Sequence, residues 1–236
     1  MQRWNEYSKD LLNRPSNVSI ESLAKVHQEP IQEHLANPVT LHEVQAAIQA
    51  MKSNKAPGSD GISAEIWKSS EALEEQLHKL LEHIWEKKNV LQQFKDANVV
   101  TIWERKGAKR YCNNNRGIPL LVNAGKILGK VLLKRLTSTI IETVLPESQC
   151  GFRANRGTTD MIFCARLIQE KSWEQHKDLY VMFIELTKAF DSINRTGLWS
   201  LLAKFGCPSK LANVIKQLHD GMMGRVCADG KESDGF

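Results

Sequence analysis

A single carboxylate, Glu185, lies near the end of a strongly apolar run and is the best-placed candidate for metal chemistry in this sequence. The run, residues 180–186, has the length and the β-branched and aromatic composition of a buried strand. A carboxylate at the end of such a strand is costly unless a partner neutralises it. Mg²⁺ is one suitable partner, because it prefers carboxylate oxygens. The run therefore predicts a strand that presents Glu185 to a metal ion, or a plain buried strand with one acid at its rim.

The residues directly after this run are typical of a tight turn into a helix. Three residues beyond Glu185 the sequence continues with Lys188, Ala189, Phe190 and Asp191. In many α/β enzymes a metal or phosphate site is formed where a strand that ends in a carboxylate is followed by a tight turn and a helix. This arrangement strengthens the interpretation of the run as part of a site.

Positive charge is concentrated in residues 95–135. This stretch holds ten Lys and Arg against two acids, a net charge of +8, whereas the whole chain carries +5. Such a concentration favours a polyanionic partner, although a solvated basic face is the alternative. Two β-like runs, near residues 98–103 and 116–121, flank a basic loop and predict a hairpin.

Four segments resemble, in this order, motifs of non-LTR retrotransposon (LINE-type) reverse transcriptases. The K-A-P-G-x-D-G-I signature is matched at residues 55–62. The basic-Gly loop followed by N-Y-R-P/G-I-S-L-L is matched at residues 105–121, except that Asn115 replaces the Tyr and Pro119 the Ser. The Q-x-G-F-R-x-x-R-G-T-x-D pattern is matched at every specified position in residues 149–160. The F-x-D-x-x-K-A-F-D motif is matched at residues 183–191, except that Glu185 replaces the metal-binding Asp.

The resemblance implies RNA-directed DNA synthesis on an RNA template with a DNA primer, using deoxynucleoside triphosphates and Mg²⁺. It makes Glu185 the candidate catalytic and metal-binding residue, and it makes Phe190 the residue that excludes a ribose 2′-hydroxyl. The candidate nucleotide-binding residues are Arg105, Lys106, Arg116, Lys188, Ala189 and Phe190. The candidate nucleic-acid contacts are Lys55, Lys109, Arg110, Arg153 and Arg156.

Two motifs that the family carries next are absent from this sequence. Neither a G-x-x-Q-G core nor the F/Y-x-D-D motif occurs, and no two aspartates are adjacent anywhere in the chain. Since two-metal catalysis needs several converging carboxylates, we expect a truncated reverse transcriptase domain that is inactive alone. A non-enzymatic nucleic-acid-binding module and a retrotransposon remnant without function remain alternatives.

The elements that must position these residues predict an α+β fold, helix-rich with a small truncated sheet, and the resemblance implies right-hand polymerase fingers plus a partial palm. We expect a linker or N-terminal arm over residues 1–38 and a partial reverse transcriptase domain over 39–236. Within that domain, fingers would span about 39–175 and the start of the palm about 176–236. Thr40 and Glu43 predict a capping box, and residues 63–88 predict a scaffold helix with Leu77 on its apolar stripe and Glu74 facing outward.

Composition matches an ordinary packed protein, with 42% hydrophobic and 25% charged residues. The sequence has no 18-residue apolar run and no signal-peptide core near its first residues, which predicts an intracellular chain, in the nucleus or cytoplasm, without a membrane partner. Five cysteines without C-x-x-C spacing indicate reduced thiols.

Overall fold

The computed structural model describes residues 2–13, 17–186, 189–190, 193–228 and 230–236. The helices are α1 (Gln2–Leu12), α2 (Ile20–Ala24), α3 (Leu41–Gln49), α4 (Ala64–Lys68), α5 (Glu71–Lys87), α6 (Gln92–Lys95), α7 (Asn123–Leu136), α8 (Glu142–Val144), α9 (Thr158–Glu174), α10 (Arg195–Lys204) and α11 (Ser209–His219). The strands are β1 (Ala97–Trp103), β2 (Asn115–Leu121), β3 (Gly224–Ala228) and β4 (Lys231–Glu232). Short 3₁₀ turns cover Glu33–Ala36 and Cys112–Asn114, and a π-helical turn, Thr137–Ile141, follows α7.

The core of the described part of the chain is a helical cluster in which α3, α5, α7 and α11 pack together. Its fully buried side chains include Ile48, Leu81, Ile127 and Leu211. The predicted capping box begins α3: the Thr40 hydroxyl accepts from the Glu43 amide, and the Glu43 carboxylate accepts from the Thr40 amide at 2.8 Å. These two bonds satisfy amides that the first turn of a helix leaves without partners.

The predicted helix over residues 63–88 is two helices, α4 and α5, separated at Ser69 and Ser70. Leu77 is buried as predicted. Glu74, however, does not face solvent: it is only 6% exposed, and its carboxylate accepts a hydrogen bond from Gln45 of α3 at 3.0 Å. That bond makes burial of the carboxylate tolerable.

The sheet has the strand order β2-β1-β3-β4. The predicted hairpin of β1 and β2 is confirmed, with Ala97 opposite Leu121 and Trp103 opposite Asn115 in an antiparallel ladder. Strand β1 pairs in parallel with β3, which lies more than a hundred residues later in the chain. This long-range pairing joins a strand of the predicted fingers and a strand of the predicted palm in one sheet.

The predicted strand at residues 180–186 is wrong. This segment pairs with no strand among the described residues, and its side chains are exposed, including Tyr180 at 91% and Phe183 at 93%. A strand forms only where a neighbour completes its hydrogen bonds, so composition alone does not make one. The adjoining helix α9 likewise contributes no buried residue to the core.

Part of the predicted arm belongs to the packed core. Leu35 of the arm and the adjoining Val39 are buried in the helical cluster, and the Gln32 amide donates to the Gly206 carbonyl at 2.9 Å. The division at residue 38 stays a prediction, but these contacts attach residues 29–39 to the rest of the protein.

The fold is helix-rich with a small mixed sheet, so the predicted α+β class is confirmed. Among the residues that the structure describes, we find no helix with the length and apolarity that a membrane crossing requires.

Candidate functional site

A cavity of about 580 Å³ opens beside the β1–β2 hairpin and gathers residues from distant parts of the sequence. Arg116 of β2 lies on one wall, and Glu185, Ala189 and Phe190 lie on another. These four residues were predicted for the site, and the structure brings them to one cavity. The predicted Lys188 lies outside the described residues.

Arg116 is positioned by the hairpin. It lies opposite Ile102 in the β1–β2 ladder, near the end of both strands, and it is exposed. The adjoining Asn115 is buried, and its side-chain amide donates to the carbonyls of Lys109 and Tyr111, each at 2.8 Å. Asn115 therefore fixes the loop that precedes Arg116.

The loop between the two strands carries four predicted contacts, Arg105, Lys106, Lys109 and Arg110, and all four are exposed. Arg105 and Gly107 have positive φ of 60° and 59°, which turns the backbone sharply. Asn114 closes the loop by donating to the Ala108 carbonyl at 2.9 Å. Among the described residues, none of the four cations lies within ion-pair distance of a carboxylate, so the loop presents unneutralised positive charge.

Phe190 links two of the sequence motifs in space. Its ring meets that of Phe152 edge to face, with the centroids 5.5 Å apart. Phe152 belongs to the G-F-R segment and has a φ of 60°. The contact holds Phe190 against that segment.

Glu185 is exposed and not at the rim of a buried strand, because the strand predicted to carry it does not form. Glu104 lines the same cavity. Within the described ranges, however, no three carboxylate, histidine or cysteine side chains converge on a point where a metal ion could be held. Mg²⁺ needs several oxygen ligands in nearly octahedral geometry, so these residues do not by themselves fit a divalent metal.

The remaining predicted contacts lie elsewhere. Lys55 is exposed on the loop after α3. Arg153 donates to the Glu142 carboxylate at 3.0 Å and to the Pro146 carbonyl at 2.9 Å, and Arg156 donates to Glu147 at 2.8 Å. Both arginines are engaged within the chain, and their contact with nucleic acid stays a prediction.

Helix α1 supplies cavity residues that the sequence interpretation missed. Trp4, Tyr7 and Leu11 line the cavity, and Asn5 donates to the Asp234 carbonyl at 2.7 Å. Their spacing of three and four residues predicts an amphipathic helix, which was a usable signal. Because residues 1–38 were predicted to be a linker or N-terminal arm, these cavity residues were not among the predicted site residues.

Comparison with known proteins identifies the family to which the chain belongs. Residues 104–234, more than half of the chain, match the family described as reverse transcriptase (RNA-dependent DNA polymerase). The match covers the hairpin loop, Arg116, the G-F-R segment and Glu185. The chain belongs to the reverse transcriptase family.

Three relatives come from mobile elements. The RNA-directed DNA polymerase of the mobile element jockey from Drosophila funebris is 28% identical over 217 residues, 89% of this chain and 23% of that protein. A Pol polyprotein from the type-1 retrotransposable element R2 of Popillia japonica is 25% identical over 77% of this chain and 24% of its own length. The uncharacterized 149 kDa protein of transposon TX1 from Xenopus laevis is 26% identical over 79% of this chain and 14% of its own length.

The resemblance to non-LTR retrotransposon reverse transcriptases is thereby confirmed. This chain spans about a quarter or less of the length of these relatives. It is a reverse transcriptase domain fragment by comparison with them.

Proposed function

We propose that this chain forms the fingers and the first part of the palm of an RNA-directed DNA polymerase, and that it binds the primed template and the incoming nucleotide. The cavity beside the β1–β2 hairpin carries the proposal, because it gathers Arg116, Glu185, Ala189 and Phe190. A cation and an aromatic ring beside one cavity suit a triphosphate and a sugar, respectively.

In this proposal, Arg116 binds the phosphates of the incoming deoxynucleoside triphosphate. A guanidinium group donates two parallel hydrogen bonds to phosphate oxygens, and Arg116 is exposed at the cavity wall. Arg105 and Lys106 lie on the adjoining loop and add to the positive field around the same phosphates. Lys188, by its place in the sequence motif, is the further proposed contact.

Phe190 is the proposed selector for deoxyribose. The residue is 68% exposed, and its ring is supported from one side by Phe152. A ring fixed in this way excludes an extra hydroxyl by steric overlap, and RNA differs from DNA at that 2′-hydroxyl. Glu185 is the proposed carboxylate ligand of Mg²⁺, and further ligands would have to come from residues other than those described.

A second candidate function is nucleic-acid binding without synthesis. The exposed cations Arg105, Lys106, Lys109 and Arg110 favour it, since they bind phosphates without any metal. The two candidate functions differ in one measurable property. Only in a polymerase should the stability of the complex depend on which nucleotide is complementary to the next template base.

The dissociation rate of the chain from a primed template, measured with each nucleotide in turn, distinguishes the two candidate functions. The chain would be bound to an RNA template carrying a labelled DNA primer that lacks a 3′-hydroxyl, with Mg²⁺ present. We expect the deoxynucleotide complementary to the next template base to slow dissociation more than the three others or the matching ribonucleotide. Phe190→Ala should reduce the preference for the deoxynucleotide over the ribonucleotide. Equal effects of all nucleotides would contradict the polymerase proposal and favour the simple binding module.

A further inference from the structure

Residues 177–186 form an apolar segment that the protein leaves in contact with solvent. The large apolar side chains at positions 179–184 and 186 are each at least 40% exposed. Within the part of the chain that the structure describes, no backbone hydrogen bond joins residues 178–186 to another residue. No residue from 177 to 186 has a positive φ, so a strand conformation is open to the whole segment. A segment with free N–H and C=O groups and apolar side chains is a template for pairing with another strand.

The exposed apolar area is large enough for a stable interface. Tyr180 and Phe183 are more than nine-tenths exposed, and burying two aromatic side chains covers on the order of 300–500 Å². The other large apolar side chains of the segment are 40% to 81% exposed. Helix α9 ends just before the segment, buries none of its residues, and adds exposed Phe163 and Trp173. A stable interface takes about 800 Å² from each partner, and this surface supplies it.

The charges near the two ends of the segment are complementary to each other. Lys177 and Glu185 are both exposed, and neither belongs to an ion pair among the residues that the structure describes. Between them only Asp178 is charged. When two copies of the segment run antiparallel with Val181 opposite Val181, Lys177 of each copy lies opposite Glu185 of the other. The segment is therefore complementary in charge to itself.

The same register also matches the apolar side chains. It pairs Leu179 with Phe183 and Tyr180 with Met182, and cross-strand pairs of an aromatic and an aliphatic side chain stabilise a ladder. A register centred on Met182 would instead place Glu185 opposite Leu179 and would leave the carboxylate without a cationic partner. The charges thus select the register centred on Val181.

We propose that residues 177–186 pair antiparallel with the same residues of a second copy of this chain, about a two-fold axis beside Val181. The second copy completes the backbone hydrogen bonds of a run that has the composition of a strand but finds no strand partner in the described part of its own chain. A two-fold interface uses the same surface on both copies and closes at the dimer. Because Glu185 is also the proposed Mg²⁺ ligand, the dimer and the nucleotide complex are alternative states of the chain.

Sedimentation equilibrium of the 236-residue chain, without nucleotide or nucleic acid, tests the proposal by charge reversal. We expect a mass of twice 26.7 kDa at protein concentrations up to about 100 µM. Lys177→Glu and Glu185→Lys should each weaken dimerisation at least about tenfold, because each puts like charges opposite one another at two symmetric places. The double variant Lys177→Glu/Glu185→Lys should restore dimerisation to within about threefold, since it exchanges the charges and keeps the pair. The control Lys134→Glu, at an exposed position on α7, should dimerise like the unchanged chain.

Cysteine crosslinking tests the register. In a chain with the exposed Cys164 replaced by serine, Val181→Cys should form an intermolecular disulfide under mild oxidation. Directly opposed Cα atoms lie about 4.5–5.5 Å apart, and a disulfide spans about 4.4–6.8 Å. Met182→Cys should remain unlinked, because the two copies of residue 182 would lie about 8 Å apart in this register.

The remaining outcomes overturn the proposal. A chain that is monomeric at every concentration would do so, and so would large aggregates whose mass does not respond to the charge variants. Failure of the double charge variant to recover dimerisation would refute the ion pair, and equal crosslinking of the two cysteine variants would refute the register. All the substituted positions in the segment are exposed, so the variants leave the packed core unchanged, and circular dichroism checks their folding.

Discussion

Replacing Arg135 with methionine should destabilise the protein more than any other change of a single charged residue considered above. Arg135 is 8% exposed, and its guanidinium donates to both carboxylate oxygens of Glu43, at 2.5 and 2.7 Å. It also donates to the carbonyls of Leu35, Asn37 and Pro38, at 3.1, 2.7 and 2.9 Å. One side chain thus joins α7, the start of α3 and the segment before it.

The expected loss in the free energy of unfolding follows from the acceptor groups that methionine could not hydrogen-bond. Three backbone carbonyls would lose the Arg135 donor and the Glu43 carboxylate would keep only its bonds from Thr40, and breaking a buried pair from one side costs about 3–5 kcal/mol. The Glu43 side chain is 23% exposed, so water partly compensates, and we expect about 3 kcal/mol. The stacking of the guanidinium over Trp85, 5.0 Å from the ring centroid, is replaced by the methionine side chain at little cost.

Urea denaturation measures this loss as a lower midpoint at an unchanged slope. The control is Lys134→Met, the exposed neighbour on α7, which should change the free energy of unfolding by no more than about 0.5 kcal/mol. A double-mutant cycle with Glu43→Gln should give a coupling of at least about 1 kcal/mol, because the two side chains are in direct contact. Equal midpoints for the two methionine variants would refute the reasoning.

Three further predictions test other parts of the molecule. Burial alone would raise the pKa of Glu43, but hydrogen bonds from Arg135 and Thr40 hold that pKa at about 2 instead of 4.5. The stabilisation from this group should therefore be complete above about pH 4.5 and be lost as the pH falls towards 2, so that the difference between the unchanged chain and Arg135→Met narrows over that range in urea titrations. Leu77→Ala should cost about 2–5 kcal/mol and Glu75→Ala no more than about 0.5, because Leu77 is buried and Glu75 exposed; coincident thermal melts would disprove the packing of α5. Alanine at Arg105, Lys106, Lys109 and Arg110 together should flatten the salt dependence of primed-template binding, and an unchanged slope would mean that this loop does not contact phosphates.

Local signals in the sequence predicted the local parts of the fold. The β1–β2 hairpin follows from two β-like runs on either side of a short loop, and the capping box at Thr40 from four consecutive residues. The parallel pairing of β1 with β3 joins residues far apart in sequence, and no local pattern indicates it. For the same reason the apolar run at 180–186 resembled a strand: its composition is correct, but pairing depends on a neighbour that composition does not reveal.

The sequence likewise indicated individual residues of the candidate site but not which basic residues are free to bind a ligand. The family resemblance implied Arg116 and Phe190, and the apolar run together with the resemblance implied Glu185; the three residues line one cavity. The net charge of residues 95–135 counts Arg135 and Lys130 alike. Arg135, however, is buried in an ion pair, whereas Lys130 lines a cavity. Both lie in the same basic stretch, and only packing distinguishes a structural cation from one that is available to a ligand.

The central claim, that this chain binds a primed template and nucleotide without completing the catalytic metal site, is tested most directly by a primer-extension assay. A labelled DNA primer on an RNA template would be followed for both binding and elongation, with deoxynucleotides and Mg²⁺ or Mn²⁺. The account predicts that the chain binds the primed template but adds no nucleotide, since no three potential metal ligands converge among the described residues and two-metal catalysis needs them. Clear extension by the unmodified chain that is lost in Glu185→Ala would contradict it, and so would a failure to bind the primed template at all.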